Sequence, residues 1–151
     1  MRYMKVLFVC LGNTCRSPMA KVIFEQILKQ RGLDHKISAD SAAKGYPVMS
    51  SAHPNARKAI TQLYGKDLLA DHMPKSINSI DVDDFDLILT MEESLKSGLP
   101  PEKTFTLKEY AGLKGDIQDP WGKPLEDYIK CRDEIKECLE KIIEKLIAEK
   151  T

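Results

Sequence analysis

Residues 4–20 read MKVLFVCLGNTCRSPMA, and this stretch decides the fold. The first six residues are apolar except for one lysine, which predicts a strand buried on both faces. A loop containing Gly12 follows, and Ser17 and Pro18 suit the N-cap and the first position of a helix. A strand, a glycine-containing loop and a helix N-terminus in this order bind anions. We therefore expect an anion site at the carboxyl end of the first strand.

The rest of the chain alternates between strand and helix patterns. Apolar residues recur at helical spacing from Ala20 until Gly32, and again from Leu125 onward. Further strands are predicted at 36–40, 85–89 and 104–107, a helix at 55–63, and a long surface loop at 41–54. Alternating strands and helices predict an α/β fold with a parallel sheet.

Length and composition describe an ordinary globular protein. The chain has 151 residues, which predicts a single domain over 1–151. Its 23 basic side chains balance 23 acidic ones, so the charge indicates neither a nucleic acid nor a membrane as a partner. No segment approaches the ~20 apolar residues of a membrane span, and the N-terminal residues lack the pattern of a signal peptide.

The four cysteines are Cys10, Cys15, Cys131 and Cys138. They are too few and too irregularly spaced for a disulfide scaffold, which favours a reducing cytoplasm. No further Cys or His stands at ligand spacing from them, so we expect no metal site.

The first loop combines a thiol and a guanidinium. Cys10 ends the first strand and Arg16 stands six positions later, at the start of the helix. Backbone N–H groups and the helix dipole make such a loop positive, which favours the thiolate form of a cysteine. The planar fork of Arg16 suits two phosphate oxygens. The plainer alternative, a buried apolar Cys10 beside a surface Arg16, leaves the combination of residues unexplained.

Three further residues are predicted to shape this loop. We expect Gly12 to adopt a backbone conformation closed to other residues, and Asn13 to hold a left-handed conformation. The Ser17 hydroxyl is expected to donate to the Cys10 sulfur as well as cap the helix.

A thiolate inside a phosphate-binding loop predicts covalent chemistry. The sulfur attacks phosphorus, the leaving group departs, and water cleaves the phosphocysteine. Asp119, in the segment GDIQDPWG, is placed to protonate the leaving group and later to activate the water. Taken alone, an Asp-Pro pair indicates only a turn.

These motifs resemble the low-molecular-weight protein-tyrosine-phosphatase family. The matching residues are CLGNTCRS at 10–17, DPW at 119–121, DSAA at 40–43, FDLILTMEES at 85–94 and FTLKEY at 105–110. The resemblance implies a four-stranded parallel sheet flanked by helices on both faces, a phosphatase I-like three-layer sandwich. It also implies phosphorylated proteins as substrates and no cofactor; we expect a monomer.

The resemblance also implies residue roles. Cys10 would be the nucleophile, Arg16 the clamp on the phosphate, and Asp119 the general acid and then base. The remaining positions are those of the phosphate-binding loop, its support and the substrate cleft: Leu11, Gly12, Asn13, Thr14, Cys15 and Ser17, then Ser41, then Tyr46 and Trp121. No metal is implied.

Two substrate classes stay open. The family activity is hydrolysis of phosphotyrosine-type phosphomonoesters through a phosphocysteine intermediate. Thr14 instead resembles a branch that acts on phosphoarginine, because its hydroxyl can interact with a nitrogen-linked phosphate where an alkyl group can only pack. A threonine that merely stabilises the loop is the alternative interpretation.

Two other functional classes remain as rivals. The first rival is a thioredoxin-coupled arsenate reductase, which Cys131 and Cys138, seven residues apart, would suggest. Core packing explains these two cysteines better. A phosphopeptide-binding module without catalysis would not need Cys10 and Asp119 together.

In the family a cysteine at the position of Cys15 can trap the oxidised nucleophile as a disulfide, which predicts a redox role for Cys15.

Overall fold

A four-stranded parallel sheet forms the centre of the molecule, with strand order β2-β1-β3-β4. The computed structural model describes residues 3–150. The strands are β1 (Met4–Cys10), β2 (Ile37–Ala43), β3 (Leu87–Thr90) and β4 (Thr104–Thr106). The helices are α1 (Arg16–Gln30), α2 (Pro54–Tyr64), α3 (Leu107–Tyr110) and α4 (Leu125–Lys150).

The central position of strand β1 explains its apolar sequence, because β1 pairs with β2 on one side and with β3 on the other. Val6 and Phe8 join the main core, which also contains apolar residues of α1, α2 and α4. Leu7 and Val9 join a smaller core on the opposite face, together with apolar residues of two short 3₁₀ helices, Ile77–Ser79 and Val82–Asp84. Helical segments therefore cover both faces, and the predicted fold class is confirmed.

Three predicted strand boundaries are shifted. Strand β2 runs on to Ala43, because it stays in register with β1 as far as the pair Cys10 and Ala43. Strand β3 begins only at Leu87, since Phe85 ends the preceding 3₁₀ helix. Strand β4 stops at Thr106, which caps the short helix α3.

The predicted N-cap of α1 is wrong. The helix begins at Arg16, and its N-cap is Cys15, whose side chain makes no capping hydrogen bond. The Ser17 hydroxyl bonds to Cys10 and Asn13 instead. The predicted end is confirmed, because Gly32 has a left-handed backbone (φ 67°) directly after the helix.

The sheet topology places a cleft above β1. Chain connections from β1 lead to β2 on one side, while β3 lies on the other, so the strand order reverses at β1. In open α/β sheets, ligands bind outside the carboxyl ends of the strands at this reversal. Cys10 ends β1 at that point. Among the helices within residues 3–150, none has both the length and the apolar character needed to cross a membrane.

Candidate active site

The phosphate-binding loop, residues 10–17, surrounds the Cys10 sulfur with hydrogen-bond donors. The Asn13 backbone N–H donates to Cys10 Sγ over 3.2 Å, and Ser17 Oγ lies 2.9 Å from the same sulfur. Ser17 Oγ also accepts a hydrogen bond from Asn13 Nδ2 (2.8 Å). Because that contact uses a lone pair, the hydroxyl hydrogen is free to donate to the sulfur. Both donors stabilise a thiolate.

Asn13 fixes the shape of the loop. It is the non-glycine residue with a left-handed backbone among residues 3–150 (φ 57°), as predicted. Its Nδ2 also donates to Ser41 Oγ (3.0 Å), and its Oδ1 accepts from the Lys75 backbone N–H (3.1 Å). His72 Nε2 donates to the Asn13 carbonyl oxygen (2.8 Å). Both polar ends of a fully buried side chain are therefore satisfied.

The expectation for Gly12 is wrong. Its backbone is not among those with positive φ, so glycine is not required there by conformation. A Cβ at Gly12 would have Thr14 Oγ1 as its nearest neighbour, 3.7 Å away, which is an ordinary contact. The left-handed conformation that the loop needs is carried by Asn13 alone.

Arg16 is held from two sides. Its side chain is 1% exposed, and Nη1 donates to the Ile117 carbonyl oxygen over 2.7 Å. Nη2 lies 3.3 Å from Glu92 Oε2 and 3.5 Å from Asp119 Oδ2. A buried guanidinium needs such partners. The contacts fix the orientation of the fork before any ligand arrives.

Glu92 and Ile117 were not predicted as part of the site. Glu92 comes two residues after the end of β3, and carboxyl ends of parallel strands meet at one edge of the sheet. That position was the available signal for Glu92. Ile117 contacts Arg16 through its backbone carbonyl, and the identity of a side chain gives no sign of such a contact.

The Asp119 loop, residues 117–122, brings a carboxylate to the phosphate-binding loop. Asp119 Oδ1 accepts a hydrogen bond from the Trp121 backbone N–H over 3.1 Å, which is the turn that an Asp-Pro pair predicts. The other oxygen, Oδ2, faces Arg16. The turn interpretation and the acid interpretation of Asp119 are therefore compatible, since each uses a different oxygen.

Cys10, Arg16 and Asp119 line one cleft of about 280 Å³. Its other lining residues come from the phosphate-binding loop, the segment after β2 and the Asp119 loop: Leu11, Gly12, Thr14, Cys15, Gly45, Tyr46, Val48 and Trp121. The rim is apolar and exposed, with Tyr46 at 80%, Val48 at 78%, Leu11 at 54% and Trp121 at 47%. The structure thus places every predicted cleft residue at one opening, with Ser41 behind it.

Comparison with known proteins identifies the arrangement. The family of low molecular weight phosphotyrosine protein phosphatases matches residues 5–151. The chain belongs to this family. It is accordingly a cysteine-dependent protein phosphatase, a hydrolase that acts on phosphorylated proteins.

Relatives of this phosphatase carry two activities in their names. The protein-arginine-phosphatase of Bacillus subtilis (strain 168) is 35% identical, covering 95% of this chain and 97% of its own. The low molecular weight protein-tyrosine-phosphatase YfkJ of the same organism is also 35% identical, with 85% and 74% covered. The crystal structure of a low molecular weight protein tyrosine phosphatase from T. tengcongensis superposes with a TM-score of 0.86 at 42% identity, with 94% and 99% covered.

Cys15 lies inside the phosphatase loop but faces helix α4. Its Sγ lies 3.5 Å from Tyr128 Oη and 3.7 Å from Thr14 Oγ1. Burial raises the pKa of the Cys15 thiol, and the hydrogen bonds to Tyr128 and Thr14 offset only part of that effect. Cys15 therefore stays protonated and does not compete with Cys10 as a nucleophile.

Cys131 and Cys138 belong to the main core of the phosphatase. Both are buried on α4 among its apolar residues. Seven residues of continuous helix separate their backbones by about 10 Å along the axis, beyond the Cα separation that a disulfide spans. Burial raises the pKa of Cys131 to about 12 and that of Cys138 to about 11. These features favour core packing over an arsenate reductase relay.

Two histidines to which the sequence assigns no role contact the site. His72 supports the loop through Asn13, as described above. His53 packs against Trp121 and Tyr128, and its backbone N–H donates to the Thr14 carbonyl oxygen (2.9 Å). Neither contact has a signal in the sequence, because both join segments far apart in the chain.

Proposed function

We propose that Cys10, Arg16 and Asp119 carry out hydrolysis in two steps. In the first step Cys10 Sγ forms a bond to phosphorus, while the bond from phosphorus to the leaving atom breaks and Asp119 gives that atom a proton. In the second step a water molecule attacks the phosphocysteine, Asp119 takes up its proton, and the thiolate is released. The observation that carries this proposal is the convergence of all three side chains on one cleft.

Arg16 and the loop backbone supply the electrostatic part of the mechanism. The guanidinium is already oriented by Ile117 and Glu92, so its remaining donors are available to two phosphoryl oxygens. Fixed donors stabilise developing charge without having to reorganise. Every step uses side chains of this chain, and we propose that turnover needs neither metal nor cofactor.

We further propose that phosphoarginine is the preferred substrate, and Thr14 supports this. Thr14 is buried and lines the cleft, with Oγ1 3.7 Å from Cys15 Sγ and beside Gly12. A hydroxyl at this depth can bond to a nitrogen-linked phosphoryl group or to the attacking water. The exposed aromatic rings Tyr46 and Trp121 support phosphotyrosine as the second candidate, although arginine also stacks on aromatic faces.

A comparison of two matched peptides tests the substrate class. One peptide carries phosphoarginine and the other phosphotyrosine in the same sequence, and kcat/KM is measured for wild type, Thr14→Val and Thr14→Ile. Thr14→Val replaces the hydroxyl by a methyl group of similar size, so we expect kcat/KM for phosphoarginine to fall about 10- to 100-fold, the loss of one charge-assisted hydrogen bond. Turnover of phosphotyrosine should change little.

The opposite pattern would assign the protein to the tyrosine branch. A wild-type preference for phosphotyrosine that Thr14→Val leaves unchanged would reduce Thr14 to a structural residue of the loop. Thr14→Ile then separates lost bonding from added bulk.

We also propose Cys15 as the partner of oxidised Cys10. Peroxide would convert the Cys10 thiolate to a sulfenic acid, and condensation with the Cys15 thiol would form a disulfide and release water. Both thiols are free and lie in one loop, which supports the pairing. Mass spectrometry after mild peroxide should find a Cys10–Cys15 linkage in wild type and none in Cys15→Ser. Its absence from wild type would reject the proposal.

We propose that the enzyme is a monomer in a reducing compartment such as the cytoplasm. Four buried free cysteines support the reducing compartment. Sedimentation of the purified protein and cell fractionation are the measurements that test it.

A further inference from the structure

The His53 ring occupies a junction between three elements of the site. It is the N-cap residue of α2, directly before Pro54. On one side its imidazole stacks on Tyr128 of α4, with ring centroids 5.0 Å apart and an interplanar angle of 23°. On another side it meets Trp121 of the Asp119 loop edge to face, at 5.2 Å and 71°. Tyr128 is fully buried and therefore a fixed platform.

Polar contacts hold the imidazole in this position. The His53 backbone N–H donates to the Thr14 carbonyl oxygen, which ties the residue to the phosphate-binding loop. Nδ1 accepts a hydrogen bond from the Asn55 backbone N–H (3.1 Å), which caps α2. An accepting Nδ1 requires the neutral ring with its hydrogen on Nε2. Burial lowers the pKa of His53, which keeps the ring in that form at neutral pH.

Trp121 needs such a support. Trp121 is 47% exposed at the rim of the cleft, and its backbone N–H donates to Asp119 Oδ1. Among the aromatic rings of residues 3–150, that of His53 contacts the Trp121 ring. His53 therefore gives Trp121 a contact from outside the Asp119 loop.

We propose that His53 is a positioning residue that holds Trp121 as the wall of the substrate cleft and links that wall to the phosphate-binding loop. The inference rests on the proposed function in treating the cleft as the place where substrate binds. Its consequence is that His53 acts on the binding of the peptide around the phosphorylated residue. The chemical step at Cys10 does not depend on it.

Two variants separate the ring from the helix cap. His53→Asn keeps a side-chain oxygen that can cap α2 but has no ring, and Asn is among the best N-cap residues. His53→Phe keeps an aromatic ring but cannot accept the capping bond. His35→Asn is the matched control, because His35 is exposed and lies just before β2, at the opposite end of the sheet.

Trp121 provides a spectroscopic readout, since it is the single tryptophan of the sequence. In His53→Asn we expect greater quenching of its fluorescence by acrylamide, and a KM for the preferred phosphopeptide that is about two- to tenfold higher, the range expected for one lost aromatic contact. The kcat value and inhibition by inorganic phosphate should stay at wild-type values. His53→Phe should restore both KM and quenching, and His35→Asn should match wild type.

Two results would overturn the proposal. If His53→Asn leaves quenching and KM unchanged, the ring does not position Trp121. If His53→Phe shows the same changes as His53→Asn, restoring an aromatic ring does not restore Trp121, and contact with the ring is not what positions it. Should wild type hydrolyse neither phosphopeptide, the proposed function fails, while the quenching comparison still decides whether His53 holds Trp121.

Discussion

The Ser17 hydroxyl determines how negative charge on Cys10 is held. Asn13 Nδ2 donates to Ser17 Oγ, so the hydroxyl hydrogen is free to donate to the sulfur. Asn13 is itself fixed at Oδ1 by Lys75 and at its carbonyl by His72. A thiolate is thus stabilised by a chain of hydrogen bonds whose far end lies on a different segment.

Asp119→Asn tests the proposed acid. Asparagine keeps an oxygen for the Trp121 N–H but cannot transfer a proton, so we expect kcat on phosphopeptides to fall about 10²- to 10⁴-fold. The fall should be smaller on p-nitrophenyl phosphate, whose leaving group needs little protonation. Steady-state kinetics on both substrates provide the measurement, and an equal loss on both would contradict the role.

His72 should make stability depend on pH. Burial lowers the pKa of His72 from its ordinary 6.5, and the bond to Asn13 opposes this without reversing it. Below about pH 6.5 the unfolded chain therefore binds a proton that the folded chain resists. The free energy of unfolding decreases as the pH is lowered through this range. Urea unfolding between pH 5 and 7.5 should show this decline, reduced in His72→Gln. An identical decline in the variant would show that His72 is not its source.

At the scale of elements, helix α4 supports the sheet from the main core. Its apolar spacing predicted the helix correctly from Leu125 onward. Leu139 is fully buried in that core, so we expect Leu139→Ala to lower the free energy of unfolding by about 2–5 kcal/mol. Glu137→Ala on the exposed side is the control and should stay within about 0.5 kcal/mol. Chemical denaturation measures both, and a loss below about 1 kcal/mol for Leu139→Ala would contradict the assignment.

Elements with a strong local pattern were predictable, and their boundaries were less so. The start of α1 was misplaced because Ser17 has the composition of a cap but serves the Cys10 sulfur. Helix α3 was missed, although Thr106 and Glu109 form a capping box that the sequence displays. The start of β3 was misplaced at Phe85, since an apolar residue beside a strand resembles part of it.

At the scale of the molecule, the site was predictable where its residues are contiguous. The phosphate-binding loop lies within residues 10–17, so residue types and order revealed it. Its supports come from distant segments, among them His72, Glu92 and Ile117. Their contacts depend on how the strands are ordered, which spacing along the chain does not specify. The support role of Ser41 came only from resemblance to the family.

The central claim is that Cys10 becomes phosphorylated during turnover. The most direct measurement mixes wild-type enzyme with a phosphopeptide, quenches with acid within milliseconds, and maps phosphate by mass spectrometry. We predict phosphate on Cys10 alone, and more of it in Asp119→Asn with a substrate whose leaving group needs no proton, because activation of the water is slowed. In Cys10→Ser, turnover should be abolished while inorganic phosphate still binds. A wild-type enzyme that turns over without phosphate on Cys10, or a Cys10→Ser variant that keeps full activity, would contradict the account.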